Sequence, residues 1–242
     1  MSKLKILTKR NIKEILRDPL SLVFCLGFPV IMLVLMQLVL GGLENVPANF
    51  QITSYATGIC VFGYTFSMMF AAMLIAADKN SEFINRLYMA PIKKSTYLCS
   101  YFLAVLPIMI AQTIIFFALA FCFGLALSAN ILMAILYLLP SMVLYITLGL
   151  FLGTLCKTEK QAGPISSIII SLVGMLGGVF MPVAQMGTIS TIANILPFVH
   201  TAQIGTEALV GNFGGIFPHI LWILGFALVF WIITITIFKK KK

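Results

Sequence analysis

Charge is what this 242-residue chain has least of: Asp, Glu, Lys and Arg make up 10% of it, hydrophobic residues 61%, and mean hydropathy is +1.08. A soluble domain carries about 25% charged residues, so the composition excludes one and leaves an integral membrane protein. Residues 95–156 contain no Asp, Glu, Lys or Arg at all. As helix, at about 1.5 Å per residue, that run is far too long for one crossing of a roughly 30 Å hydrocarbon core. It needs a turn, and Ser128-Ala129-Asn130 supplies one.

Ionisable residues are also missing from the middle of every apolar run, where only hydroxyls and amides such as Gln37, Tyr64, Ser67, Gln112, Thr113, Ser141 and Tyr145 occur. Ion-coupled transporters and proton relays place charge at that depth, so energy coupling is expected to come from outside this chain. A phosphate loop of the form G-x-x-x-x-G-K-S/T is absent, and ATP is not expected to bind here in that manner. The five cysteines (25, 60, 99, 122 and 156) lie in or at the ends of apolar runs. None stands at metal-ligand spacing or in an outer loop, which points to packing residues rather than a disulfide framework or metal site. No catalytic group and no metal ligand is assigned. The first apolar run is about span length and lacks a small-residue cleavage site, so a cleaved signal peptide is not expected.

What is present is sixteen Lys and Arg residues in four clusters: Lys3 to Arg17, Lys79 to Lys94, Lys157 with Lys160, and Lys239 to Lys242. Basic loops are retained in the cytoplasm, so each cluster marks a cytoplasmic segment and the chain crosses an even number of times between them. The expectation is an all-α protein of the cell membrane with six transmembrane helices and both termini cytoplasmic, forming a single domain over 1–242. The net charge of +9 is confined to short loops beside apolar runs and suits anionic headgroups and an acidic partner rather than nucleic acid.

Residues 1–18 place Leu4, Leu7, Ile12, Ile15 and Leu16 on one stripe and predict an amphipathic elbow helix on the inner leaflet, ended by Asp18-Pro19. Spans are expected over about 20–40, 55–77, 98–126, 131–155, 163–180 and 217–238. Residues 181–216 are too broken to cross and too apolar for a solvated loop, and read as an outer re-entrant segment or as a partly ordered outer loop. Within it His200 and Glu207, seven residues apart, share one face if residues 197–209 are helical. They are read either as groups that admit or release substrate at an outer exit or as a polar face at headgroup level. Gly149/Gly153 and Gly174/Gly178 are G-x-x-x-G pairs suited to close helix approach, within one chain or between two.

The loop from Asp78 to Ser95 predicts a short helix at 79–92: Asn80 or Ser81 can cap it, Glu82 suits its first turn and Pro91 ends it. Phe83, Ile84, Leu87 and Tyr88 share one face, and Glu82 and Arg86 form an i, i+4 pair on another. The elbow, the six spans and this E-x-x-x-R-L-x-x-x-P helix together resemble the membrane subunit of ABC type-2 exporters. Glu82, Arg86, Leu87, Ala90 and Pro91 match the family's loop, while Phe83 and Ile84 stand where Gly and Thr are common. Gly177 to Pro182 and Ile195 to Leu209 are similar to its fifth-span end and outer helices.

The resemblance implies a permease subunit whose coupling helix, through Glu82, Phe83, Arg86, Leu87 and Pro91, docks on a separate ABC ATPase subunit that carries the ATP and Mg; this chain would hold no cofactor. It further implies a second permease subunit, identical or related, and export of an amphipathic or hydrophobic substrate such as a drug, an antimicrobial peptide or a lipid-like molecule. Lys157, Glu159 and Lys160 are either a smaller docking surface or a solvated turn. The rival readings are a non-transport immunity or assembly factor and an ion-coupled secondary transporter.

Overall fold

A computed structural model describes residues 3–40, 51–81, 93–126, 128–180, 183 and 186–240, apart from the side chains at 20, 21, 54, 239 and 240. All regular structure among them is helical, with no strand. The amphipathic N-terminal segment forms α1 (Lys3–Arg17), which lies against α5 (Lys94–Cys122). The first apolar run is α2 (Pro19–Leu22), one π-helical turn (Val23–Gly27) and α3 (Phe28–Leu40). Pro29 explains the π turn: it has no N–H to offer the preceding turn, and the Phe28 N–H reaches back five residues to the Val23 carbonyl instead.

Next come α4 (Ile52–Asp78), α5, α6 (Ala129–Tyr137) and α7 (Leu139–Leu155). Helices α6 and α7 occupy one apolar run and part at Leu138, because Pro140 lacks an N–H for the ladder. Then follow α8 (Glu159–Leu176), the short α9 (Ile189–Ile195), α10 (Pro197–Val210), a 3-10 turn (Phe213–Gly215) and α11 (Ile216–Lys240).

Five described helical stretches are long and apolar enough to cross a membrane: Val23–Leu40, Tyr55–Asp78, Lys94–Cys122, Ala129–Leu155 and Phe213–Phe238. Helix α8, over the remaining expected span, is 18 residues long and opens on Glu159-Lys160-Gln161, so fewer of its residues are apolar. The described residues of 181–216 hold two short helices, α9 and α10, and the 3-10 turn, with no crossing among them. Gly211 ends α10 in the left-handed region at φ 86°, and the Asn212 N–H closes on the Glu207 carbonyl at 2.9 Å, a glycine-terminated cap. The expected coupling helix lies outside the described residues except for Lys79, Asn80 and Ser81, which form a turn.

The centre of the bundle is α4: 78% of its apolar stretch is buried, against 17% of that of α11. It packs on α7, α8 and α10 together. Small residues permit this. A Cβ at Gly149 would stand 2.5 Å from the Met68 carbonyl oxygen, and one at Gly153 would stand 2.5 Å from that of Ala72. Gly205 of α10 lies similarly close to Thr57. The first G-x-x-x-G pair therefore serves the seam between α4 and α7 within the chain, and Gly174 of the second abuts Phe62 and Phe180.

Candidate functional site

Helix α4 ends on Asp78, a carboxylate at the negative end of a helix dipole and only 4% exposed, so it needs cationic and hydrogen-bonding partners. Arg10, on the buried side of α1, supplies both. Its Nη2 donates to Asp78 Oδ1 at 2.7 Å and its Nη1 to Oδ2, a two-pronged pair joining residues 68 apart in sequence. The Tyr101 hydroxyl of α5 donates to the same Oδ2 and lies 2.7 Å from the Tyr97 hydroxyl. Arg10 also reaches Asn11 Oδ1 at 3.0 Å, and the buried Asn11 amide donates to Ser100 Oγ at 3.0 Å. Burial alone would lower the Arg10 pKa, but the hydrogen bond and charge of Asp78 outweigh it and raise it. The guanidinium is permanently charged.

Lys79 and Asn80 extend the junction to the other side. Lys79 Nζ donates to the carbonyls of Gly153 at 2.8 Å, Thr154 at 2.7 Å and Cys156, capping the exposed carbonyl end of α7 with a cation. Asn80 Nδ2 reaches the Lys157 carbonyl at 2.6 Å. Lys94 Nζ reaches the Phe238 carbonyl at the end of α11 at 3.0 Å. Members of the first three basic clusters, and the residue before the fourth, thus gather at one end of the bundle, and α1, α5 and α7 all fasten to the end of α4. Lys79→Met leaves three carbonyls at the α7 end without their cation, and is expected to cost about 1–3 kcal/mol, read as a lower melting temperature of the purified chain.

The loop carrying Glu82, Phe83, Arg86, Leu87 and Pro91 leaves this junction just after Ser81 and rejoins it at Lys93; those five residues lie outside the described ones. Lys157, Glu159 and Lys160 are exposed, and of the three Lys157 meets Asn80 through its carbonyl.

At the opposite end His200 and Glu207, though both on α10, take separate partners. Glu207 Oε2 accepts from Asn212 Nδ2 at 2.6 Å, within the turn that closes α10. His200 Nε2 faces the Asn194 carbonyl at 3.0 Å, and its Nδ1 lies 2.8 Å from His219 Nδ1 of α11. A carbonyl only accepts, so His200 carries its proton on Nε2 and receives the His219 Nδ1–H. Trp222 Nε1 donates to the Ile195 carbonyl at 3.0 Å. Together these bonds hold the short helices α9 and α10 onto α11. No group of three or more His, Cys, Asp or Glu that could bind a metal occurs among the described residues.

The sequence matches the ABC-2 type transporter family over residues 2–213. The chain belongs to that family. It is also 23% identical over 151 residues to ABC transporter G family member 23 of Dictyostelium discoideum, a match covering 62% of this chain and 22% of that protein's length. This ABC-2 chain is accordingly a membrane transport component of its family, and the junction around Asp78 lies where its basic segments converge.

Between its two ends the ABC-2 chain pairs the hydroxyls and amides singled out in its sequence. The Tyr64 hydroxyl donates to Thr113 Oγ1 at 2.6 Å, Thr113 donates to the Met109 carbonyl at 2.7 Å, and Tyr55 donates to Gln37 at 2.8 Å. Gln112 bridges Ser67 and the Cys60 carbonyl at 3.4 Å each, while Ser141 and Tyr145 meet Thr201 at 3.3 and 3.4 Å. The hydroxyls and amides singled out in the sequence are helix cross-links within one copy. Sequence reasoning missed Arg10, Asp78, Lys79 and Tyr101 as a connected group. The available signal was Asp78 itself, an acid at the end of a long apolar helix with only basic clusters nearby to neutralise it.

Proposed function

We propose that this chain is the permease subunit of an ATP-driven exporter. Two copies, or one copy and a close relative, would form the pathway, and a separate ABC ATPase would bear on the loop at 79–92 from the cytoplasm. In this reading α1 lies on the inner leaflet, α8 is the remaining one of six spans, both termini are cytoplasmic, and the substrate is amphipathic or hydrophobic. The observation that carries it is the junction at Asp78 to Asn80. The loop is rooted where α4, the central helix, is fastened to α1, α5 and α7, so displacement of the loop would be transmitted to several helices instead of dissipating in a flexible joint.

The test is purification of the full chain with its ATPase from native membranes, followed by ATP hydrolysis and export from reconstituted vesicles. Hydrolysis is expected to co-purify, and Glu82→Arg with Arg86→Glu is expected to weaken the association about tenfold or more. If those variants retain wild-type association and export, the docking assignment is wrong. Export driven by an ion gradient without ATP would overturn the reading itself.

A further inference from the structure

A cavity of about 620 Å³ opens between α1, α5, α7 and α11, with walls including Leu4, Phe102, Leu103, Val143, Leu224 and Trp231. Phe102 and Trp231 meet edge to face along it with ring centroids 6.1 Å apart. Leu4 and Leu103 also line a second hollow together with Lys5, Thr8, Lys9 and Ile12, so the apolar groove runs into a cationic mouth on α1. Lys5 and Lys9 are exposed and form no ion pair among the described residues, in contrast to Arg10 one position along. The Thr8 hydroxyl is shut off from the surface and has no hydrogen-bond partner among the described residues.

Depth fixes what such a groove can hold. Leu224 and Trp231 stand 14 and 7 residues before Phe238, whose carbonyl meets Lys94 at the basic end, which at 1.5 Å per residue puts them about 21 and 10 Å inside. Phe102 and Leu103 lie about 12–14 Å in from Lys94 by the same rise. One leaflet of a roughly 30 Å core is about 15 Å thick, so the groove extends through the leaflet beside α1 at the length of an acyl chain. A greasy slot of that depth under two exposed ammonium groups that form no ion pair among the described residues complements one amphiphile in both halves.

We propose that this groove is a binding site for a single anionic phospholipid: Lys5 and Lys9 hold its phosphate, and an acyl chain lies against Leu103, Leu224 and Trp231. The site would tether α1, which carries Arg10 and so one side of the Asp78 junction, to the composition of the adjacent leaflet. It depends on the membrane placement of the helices and not on the export reading, so a chain that proves not to couple to an ATPase leaves it standing.

The chain contains two tryptophans, Trp222 and Trp231, and only Trp231 lines the groove. The full chain carrying Trp222→Phe is placed in phosphatidylcholine nanodiscs with brominated-chain phosphatidylglycerol, or with brominated-chain phosphatidylcholine, as a minor component. Quenching of Trp231 is expected at about tenfold lower mole fraction for the phosphatidylglycerol, and K5Q/K9Q is expected to erase the difference. Equal quenching by the two lipids overturns headgroup recognition, and no quenching by either means that something other than lipid fills the groove. Competition by soluble glycerol phosphate would show a free-anion site and overturn the lipid assignment. If Trp222→Phe does not fold, native mass spectrometry of the unmodified chain and of K5Q/K9Q decides the same point. Retained phosphatidylglycerol that depends on the two lysines supports the site, and retention independent of them sinks it.

Discussion

Asp78→Ala is expected to destabilise the chain by about 3 kcal/mol, the low end for breaking a buried pair, because it leaves the half-buried Arg10 guanidinium with the more exposed Glu14 carboxylate at 3.5 Å in place of its two-pronged partner and leaves the Tyr101 hydroxyl without its anion. For a chain of this size that is a fall of about 10 °C in melting temperature, measurable by size-exclusion of the solubilised protein after heating. Arg10→Lys keeps the charge but not the two-pronged geometry, and is expected to fall between wild type and Asp78→Ala. The double variant Arg10→Ala with Asp78→Ala removes both charges and should recover part of the loss, with a coupling energy of about 1–3 kcal/mol. If the double variant is no more stable than the sum of the singles predicts, the pair is not an energetic unit. The prediction also separates folding from transport: the loss should be seen in the isolated chain without an ATPase.

The membrane class and the approximate positions of the apolar helices were legible because hydrocarbon thickness imposes a length and a composition that few other constraints can mimic. Individual departures had local causes. The π turn before Phe28 and the break at Leu138 both follow from a proline, visible in the sequence but not in its effect, since a missing N–H can be met by a bulge, a kink or an interruption. The polar pairs were not legible at all. Tyr64 with Thr113, or Asn11 with Ser100, are separated by 49 and 89 positions, and hydropathy says only that such groups need partners, not which. Glu207 and His200 illustrate the same limit. Both lie on α10, where a seven-residue spacing shares a face, yet each is claimed by a neighbour outside it, Asn212 for one and His219 for the other.

The α4–α7 seam carries the second large expectation. Gly149→Ala and Gly153→Ala should each destabilise the chain by about 1–3 kcal/mol, even though alanine is the better helix former by about 0.5–1 kcal/mol. The reason is what the added methyl would strike. At both positions the obstructing atom is a main-chain carbonyl oxygen of α4, at 2.5 Å, which no side-chain rotation can move aside. The helices would have to separate, and since α4 also contacts α8 and α10, the displacement would propagate through the core. Gly225→Ala on α11 is the control: a Cβ there meets nothing within 4 Å, so the helix-propensity gain should appear undiminished and stability should hold or rise. The same measurement distinguishes a seam inside one copy from a contact between copies. An intramolecular seam predicts loss of folded protein that does not depend on concentration, whereas a G-x-x-x-G contact between subunits would leave each subunit folded and only change the association. Alanine variants as stable as wild type would mean that α4 and α7 do not approach this closely in the bilayer.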